Sequence, residues 1–543
     1  MRVLGVEGTA WAASAAVYDA ETDAVLMETD AYRPESGGIH PREAAEHMSD
    51  AVPTVVETVL ERAVDTYGPD PVDAVAFSRG PGLGPCLRVV GTAARALAGA
   101  RDLPLVGVNH MVAHLEIGRH RSGFASPVCL NASGANAHLL GYRDGRYRVL
   151  GETMDTGVGN ALDKFARHVG WSHPGGPKVE TAAADGEYVD LPYVVKGMDF
   201  SFSGIVSAAQ EAYDEGTPVE DVCRGLQESV FAMLTEVSER ALALTGADEL
   251  VLGGGVGRND RLREMLTTMC DARGADFYAP ESRFLGDNAG MIAVLGAKMY
   301  AAGDTVAIGD SRVDPDFRPD EVPVTWRSGE SVARATGTTA GLTGTGGEVR
   351  GAEALVRIED HRVVKARQPK AYRHPALDER LRRERTRREA RLTSGARREG
   401  VPTPVVLDVD VPGARLVFRY VGDRDLAAAP TPTRARTVGG HLAALHRAGI
   451  VHGDPTTRNV RIGGDGERVY LIDFGLGYHS GHVEDHAMDL HVFRGSLAGT
   501  VDDADPLLAA AREGYAGAAA GDGWNPDDVL DRLDEVEGRG RYR

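Results

Sequence analysis

A chain of 543 residues is too long for one hydrophobic core and predicts roughly two to four domains, none of which needs disulfide staples. A net charge of −20 and a pI near 5.3 argue against a diffuse basic nucleic-acid binder. No apolar run approaches the ~20 residues of a membrane span and no signal-peptide core follows Met1, so the expectation is a soluble, cytoplasmic protein without a membrane partner. Lysine stands only at 164, 178, 196, 298, 365 and 370, which leaves nearly all the positive charge to arginine on an acid-rich surface and predicts a halophilic source. Cys86, Cys129, Cys223 and Cys270 are scattered singly, as buried thiols of a reducing compartment would be.

In chain order, residues 3–7, 15–19 and 24–28 read as strands, 41–67 as a helix and 74–78 as a further strand, the pattern of an α/β domain. Gly80-Pro81-Gly82-Leu83-Gly84-Pro85 then makes a turn ahead of a helix at about 88–100, suited to bringing amides near a phosphate or simply to closing a loop. After a strand at 105–108, the run Asn109-His110-Met111-Val112-Ala113-His114-Leu115-Glu116 is helix-compatible. It puts two imidazoles four residues apart on one face, where both can bind one metal ion. Pairs at this spacing also occur as solvated or core residues, so spacing alone leaves both readings open. A strand at 128–130 empties into the small-residue loop Asn131-Ala132-Ser133-Gly134-Ala135-Asn136, and one at 249–252 into Gly253-Gly254-Gly255-Val256-Gly257-Arg258-Asn259. Two such junctions predict a duplicated nucleotide fold with its ligand between the halves.

An ordered set of motifs now becomes specific: Gly38-Ile39-His40-Pro41-Arg42-Glu43, His110…His114, Ser133-Gly134-Ala135-Asn136, Gly159-Asn160-Ala161-Leu162-Asp163-Lys164, His173-Pro174-Gly175-Gly176-Pro177-Lys178-Val179-Glu180 and Gly286-Asp287-Asn288-Ala289-Gly290. Over roughly residues 1–325 the chain resembles the universal tRNA threonylcarbamoyladenosine transferase family, the catalytic subunit of the KEOPS complex. The resemblance implies an actin/Hsp70-like, two-lobed duplicated α/β fold. It implies one divalent metal, iron or zinc, on His110, His114 and Asp287, the last where a capping Asp begins a helix. It also implies that Asn131, Ala132, Ser133, Gly134 and Ala135 receive the phosphate end of threonylcarbamoyl-AMP, and that Asp163, Gly176, Glu180 and Asn259 contact its nucleoside. Three protein ligands leave open coordination positions, which suits Lewis-acid work. Two departures matter: the family commonly has tyrosine at the position of Asn131, which cannot supply a phenolate, and a second glycine at Ala135, whose methyl requires a negative φ. The implied reaction is attack of the exocyclic amine of the adenosine 3′ of the anticodon on the carbamoyl carbon, in tRNAs reading codons that begin with A, with AMP leaving. His138 and Lys164 are near in sequence to these groups, but neither is thereby a base.

Composition turns to Ser, Gly, Thr and Ala over a linker at 326–345, and a second domain follows at 346–543. Residues 355–358 and 362–365 read as paired strands ending on Lys365, and the Arg-rich run 381–398 as a helix with a solvated charged face. Within it Glu389, rather than Glu384, is the carboxylate to pair with Lys365. His452-Gly453-Asp454 with Asn459 five residues after the Asp, then Asp473-Phe474-Gly475 after a strand, matches a kinase catalytic loop and metal motif. Asp454 is the base candidate, and Asn459 and Asp473 the magnesium ligands. Together with Gly475-Leu476-Gly477-Tyr478 and Glu484-Asp485…Asp489 these residues resemble the small atypical kinase of KEOPS, a protein-kinase-like α+β domain. Its phosphate loop would be Gly346-Gly347-Glu348-Val349-Arg350-Gly351-Ala352, and with no Ala-Pro-Glu segment, ATP hydrolysis tied to tRNA modification is favoured over broad phosphorylation of proteins. The basic tail from Gly538 reads as a tRNA contact or a frayed end.

The leading expectation is a bifunctional fusion that uses tRNA, threonylcarbamoyl-AMP, ATP and magnesium with small KEOPS subunits. A metal-dependent peptidase lacks its water-activating glutamate, because Met111 follows His110. A signalling scaffold that phosphorylates proteins is the other alternative.

Overall fold

The computed structural model describes residues 1–32, 39–143, 145–327, 348–359, 361–463, 466, 468–521 and 523–539. Gly38, Gly346, Gly347, most of the linker and the last four residues lie outside the described residues.

Two five-stranded mixed sheets dominate the first part of the chain. In one, Ala24–Ala31, Ala12–Asp19 and Arg2–Glu7 run antiparallel, and Ala74–Gly80 and Leu105–Asn109 extend Arg2–Glu7 in parallel. In the other, Arg146–Glu152, Ala137–Arg143 and Val128–Ala132 run antiparallel, and Glu249–Gly253 and Asp276–Tyr278 extend Val128–Ala132 in parallel. The topology is therefore duplicated. Parallel neighbours require crossovers, supplied in the first sheet by the helices Pro41–Tyr67 and Gly84–Arg101. The expected helix at 88–100 thus begins earlier, because Pro85 sits in the first turn, where its missing N–H costs nothing. The two glycine junctions at 131–136 and 253–259 do not belong to opposite halves. They leave adjacent parallel strands of one sheet, with Gly253 paired to Asn131.

The helix Ala289–Ala301 bridges the halves, lying on the first sheet and on the helix His110–Ser122. Gly5 makes this possible: a Cβ there would stand 2.5 Å from the Ala289 carbonyl oxygen. Trp326 and Arg327, assigned to the linker from composition, instead close the first part. Arg327 is buried, its guanidinium carbon 3.7 Å from the Tyr142 ring centroid, and Trp326 stacks on Tyr147.

Beyond the undescribed stretch, an antiparallel sheet runs in the order Glu348–Arg350, Ala354–Glu359, Arg362–Arg367, Arg415–Arg419, Val406–Asp410. The helix Pro375–Arg398 packs on it. A mostly helical part follows, whose core includes Leu442, Phe474, Phe493, Leu497 and Tyr515. The long helix Val219–Thr245, buried along most of its length, touches both parts of the molecule through its side chains. Among the described residues no helix is long and apolar enough to cross a membrane.

Replacing Gly5 with Ala forces the 289–301 helix away from its strand and costs about 1–3 kcal/mol. A urea midpoint equal to wild type would show that the helix backbone does not need this approach.

Candidate functional site

His110 and His114 sit in the first turns of a helix capped by Asn109, whose Oδ1 accepts the N–H groups of Met111 and Val112 at 3.0 and 3.1 Å. Both imidazole Nε2 atoms lie 3.5 Å from Asp287 Oδ1, and the three candidate ligand atoms fall within 4.8 Å of one another. Asp287 is not the helix cap expected from sequence. Asn288 caps, its Oδ1 accepting Met291 N–H at 3.0 Å, which leaves the Asp287 carboxylate free to face the imidazoles.

The buried Glu7 carboxylate holds this group from behind. It accepts the Thr9 N–H at 2.9 Å, the Ser78 hydroxyl, and His110 Nδ1–H at 3.1 Å. That bond turns His110 Nε2 toward Asp287, as the outer partner of a metal-ligating histidine does. Burial opposes a charged His110, but Glu7 and Asp287 outweigh it and raise its pKa to about 10. Burial, chiefly, holds His114 down, and Asp287 lies well below the usual carboxylate range because His110 overcomes its own burial. His114 is 1% exposed and neither ring nitrogen makes a hydrogen bond. A buried polar atom left this way costs free energy unless a cation takes it, so these two imidazoles and a carboxylate fit a divalent metal.

The loop after Val128–Ala132 comes to the same place. Asn131 Oδ1 is buried without a hydrogen-bond partner, and a Cβ on Gly254 would stand 2.6 Å from it. Ser133 N–H donates to Asn136 O at 2.9 Å, tightening the turn, and the amides of Gly159 and Asn160 donate to Ser133 O and Gly134 O at 3.1 and 2.9 Å. Ala135 is not among the residues with positive φ, so its methyl is tolerated. His138, opposite Asn131 in the sheet, is buried with both ring nitrogens unpartnered, and burial lowers its pKa to about 3. Lys164 is exposed.

Across the loop, Asp163 accepts Gly175 N–H at 2.6 Å and lies 3.3 Å from His173 Nδ1. Gly176 opens the next helix, with nothing within 4 Å of the position a Cβ would take. Glu180 accepts Asp260 N–H at 2.9 Å, beside Asn259, whose amide donates to Gln227 at 3.2 Å. Trp11 stacks on His173 at 5.1 Å and its indole nitrogen faces Gly134. Sequence reasoning missed Glu7, Trp11 and Gln227, since each is recognised only by what folds against it.

In the second part, Lys365 Nζ lies 2.9 Å from Glu389 Oε1 and 2.7 Å from Asp473 Oδ1. Asn459 donates to Asp454 Oδ2 at 3.0 Å, and Asp489 accepts the N–H groups of His452 and Gly453 at 2.6 and 2.8 Å, fixing the loop that carries Asp454. Burial raises the Asp454 pKa to about 6 against the opposing pull of Arg240. Glu348 does not join this group. It pairs with Arg357 at 2.6 Å, and the register Val349–Val356–Lys365 puts Glu348 on the other sheet face. Gly351 N–H donates to Ala354 O at 2.9 Å and Ala352 O accepts from Lys370, so this segment is a turn, and its Glu353 meets Arg240 of the first part at 2.5 Å.

One helix connects the two groups. Along Val219–Thr245, Gln227 holds Asn259, Glu228 pairs with Arg261 at 2.9 Å, and Glu236 pairs with Arg373 and Arg385 at 2.6 and 3.0 Å. Further along, Glu239 pairs with Lys370 at 2.6 Å, and Arg240, 8% exposed, reaches Asp454 at 3.1 Å and Glu353 at 2.5 Å. None of these helix residues was singled out from sequence.

The profile of the family tRNA N6-adenosine threonylcarbamoyltransferase matches residues 23–294. A protein named "Probable bifunctional tRNA threonylcarbamoyladenosine biosynthesis protein" in Halobacterium salinarum is 68% identical, covering 100% of this chain and 99% of its own. One of the same name in Methanosarcina barkeri is 48% identical over 99% of each. The solved structure of full-length HypF in its phosphate- and nucleotide-bound form overlaps 55% of each chain at 14% identity and a TM-score of 0.40, too distant to bear on either site.

Replacing Glu7 with Gln weakens divalent-metal affinity by about 10–100-fold, because His110 exchanges a charged carboxylate acceptor for a neutral amide. Unchanged affinity in a metal titration of the Glu7→Gln protein would remove Glu7 from this role.

Proposed function

The chain belongs to the tRNA N6-adenosine threonylcarbamoyltransferase family and serves tRNA threonylcarbamoyladenosine modification, and we propose that its first part catalyses the transfer while its second is an atypical kinase or ATPase that regulates it. The observation that carries the first reading is the buried His114, without a hydrogen bond, beside His110 and Asp287. A divalent cation there, iron or zinc by donor type, would supply Lewis-acid polarisation of a donor oxygen. The chain's own residues do the rest. Loop 131–135 receives the phosphate of threonylcarbamoyl-AMP, and Asp163, Gly176, Glu180 and Asn259 wall its nucleoside. Asp287 and His110 stay fixed by Asn288 and Glu7, so that the carbamoyl carbon faces the adenosine amine of a tRNA reading codons that begin with A. Positioning of this kind is worth several kcal/mol of the barrier. The duplicated sheets support an actin/Hsp70-like reading of residues 1–325, and the antiparallel sheet with its Lys365–Glu389 pair supports a kinase-like reading of 346–543.

Asp454 near Asn459 and Asp473 near Lys365 support ATP and magnesium binding in that second part. Between the helices Pro41–Tyr67 and Gly84–Arg101, an apolar groove of about 880 Å3 lined by Val56, Leu60, Val64 and Leu97 offers small KEOPS subunits a seat in a cytoplasmic complex.

With threonylcarbamoyl-AMP and tRNA supplied, His110→Ala loses transfer by more than about 100-fold while tRNA binding persists; retained transfer would end the metal reading. ATP hydrolysis rises with pH through about 6, as Asp454 ionises. In Arg240→Ala that midpoint moves up, because the cation favouring the carboxylate is gone. A pH–rate profile that does not move would detach Arg240 from the phosphoryl-transfer site.

A further inference from the structure

The helix Pro375–Arg398 turns two chemically different sides to its surroundings. Inward, Arg385 and Glu389 are buried in ion pairs, while the half-buried Arg380 and Arg382 and the exposed Arg383 each have a carboxylate partner within 3.0 Å. Outward, Glu384, Arg387, Arg388 and Arg391 follow at spacings of three, one and three residues and share one face. None of these three arginines has an ion-pair partner among the described residues, although the chain carries 80 acidic against 60 basic side chains. Largely through their aliphatic stems they border an open cleft of about 330 Å3 with Leu392, Tyr478 and His479, their charged ends at its rim and Glu384 as its one carboxylate. Tyr478 is flanked in turn by Lys196 from the first part of the chain, whose Nζ lies 5.3 Å from the ring centroid and 2.6 Å from Asp485. The cleft therefore opens at the junction of the two parts.

We propose that this arginine cleft seats phosphates of the tRNA backbone and so docks the substrate on the second part of the chain. On an acid-rich surface, three arginines that make no direct ion pair among the described residues, with Glu384 alone to offset them, are matched to an anion that the chain does not itself provide. Guanidinium forks bind phosphate oxygens through paired hydrogen bonds, which lysine cannot reproduce. A concave seat also suits concentrated salt. At about 1 M the Debye length is near 3 Å, so steering by a diffuse patch disappears and direct contact remains. Because Glu389 on the same helix holds Lys365, tRNA seated here bears on the helix that positions the phosphate-binding lysine.

The inference rests on tRNA being the substrate, and binding of tRNA to the full-length chain, followed by fluorescence anisotropy across a salt series, separates the two. Arg387→Ala/Arg391→Ala is expected to bind at least about tenfold more weakly, with a log–log salt slope shallower by about 1.5, as two lost phosphate contacts require. Arg387→Lys/Arg391→Lys recovers only part of the loss. Glu384→Gln tightens binding by about twofold, a change opposite in sign that general destabilisation cannot produce. Arg383→Ala, whose arginine already has Glu379, binds as wild type. Wild-type affinity and slope in the double alanine protein would overturn the cleft, as would an equal loss in Arg383→Ala. Loss of polyglutamate binding with tRNA binding intact would make the cleft a protein seat and overturn it too. Failure of the wild-type chain to bind tRNA would instead sink the substrate reading.

Discussion

Buried charges must be matched, and the helix Val219–Thr245 imposes that constraint through the middle of the molecule. An unpaired buried ion costs several kcal/mol, so Glu228, Glu236, Glu239 and Arg240 cannot be enclosed unless Arg261, Arg373, Arg385, Lys370, Glu353 and Asp454 meet them. Those partners come from both parts of the chain. The same condition that lets the helix be buried therefore fixes how the two parts face each other. It also ties the two proposed sites to one rigid element: Gln227 restrains Asn259 at one end, and Arg240 engages Asp454 three and a half turns further on.

The His110–His114–Asp287 group shows the same economy on a smaller scale. Asn109 starts one helix, Asn288 starts another, and Gly5 allows the second to touch the first sheet. Only then do the imidazoles and the carboxylate converge. Glu7, at the end of the first strand, supplies the counter-charge that decides which His110 nitrogen faces them. A site assembled from the ends of three elements holds its geometry because each end is capped by hydrogen bonds, not because the ligands are close in sequence.

Local patterns were legible where local physics decides them. Strands at 2–7, 74–80 and 105–109, the helix at 41–67, the His helix and the Lys365–Glu389 pairing all follow from periodicity, turn chemistry or motif spacing. Other features are decided by a partner from elsewhere in the chain. Glu348 reads as part of a phosphate loop, but strand register turns it to Arg357. Asp287 reads as a cap, but Asn288 takes that place. Trp326 and Arg327 read as linker by composition, and the Tyr142–Tyr147 surface claims them.

By itself the sequence determined the local patterns around which the proposed sites are built: an imidazole pair on one helix face, a small-residue loop after a strand, and an Asp and Asn at kinase spacing followed by Asp-Phe-Gly. Such features depend on helical and strand periods and on short-range turns, which the chain encodes within a few residues. Only the tertiary structure decided that Glu7 orients His110, that the two glycine junctions share a sheet, and that Arg240 of the first part lies on Asp454 of the second. These depend on which charges are enclosed together, and pairing across more than 200 residues leaves no periodic trace in the chain.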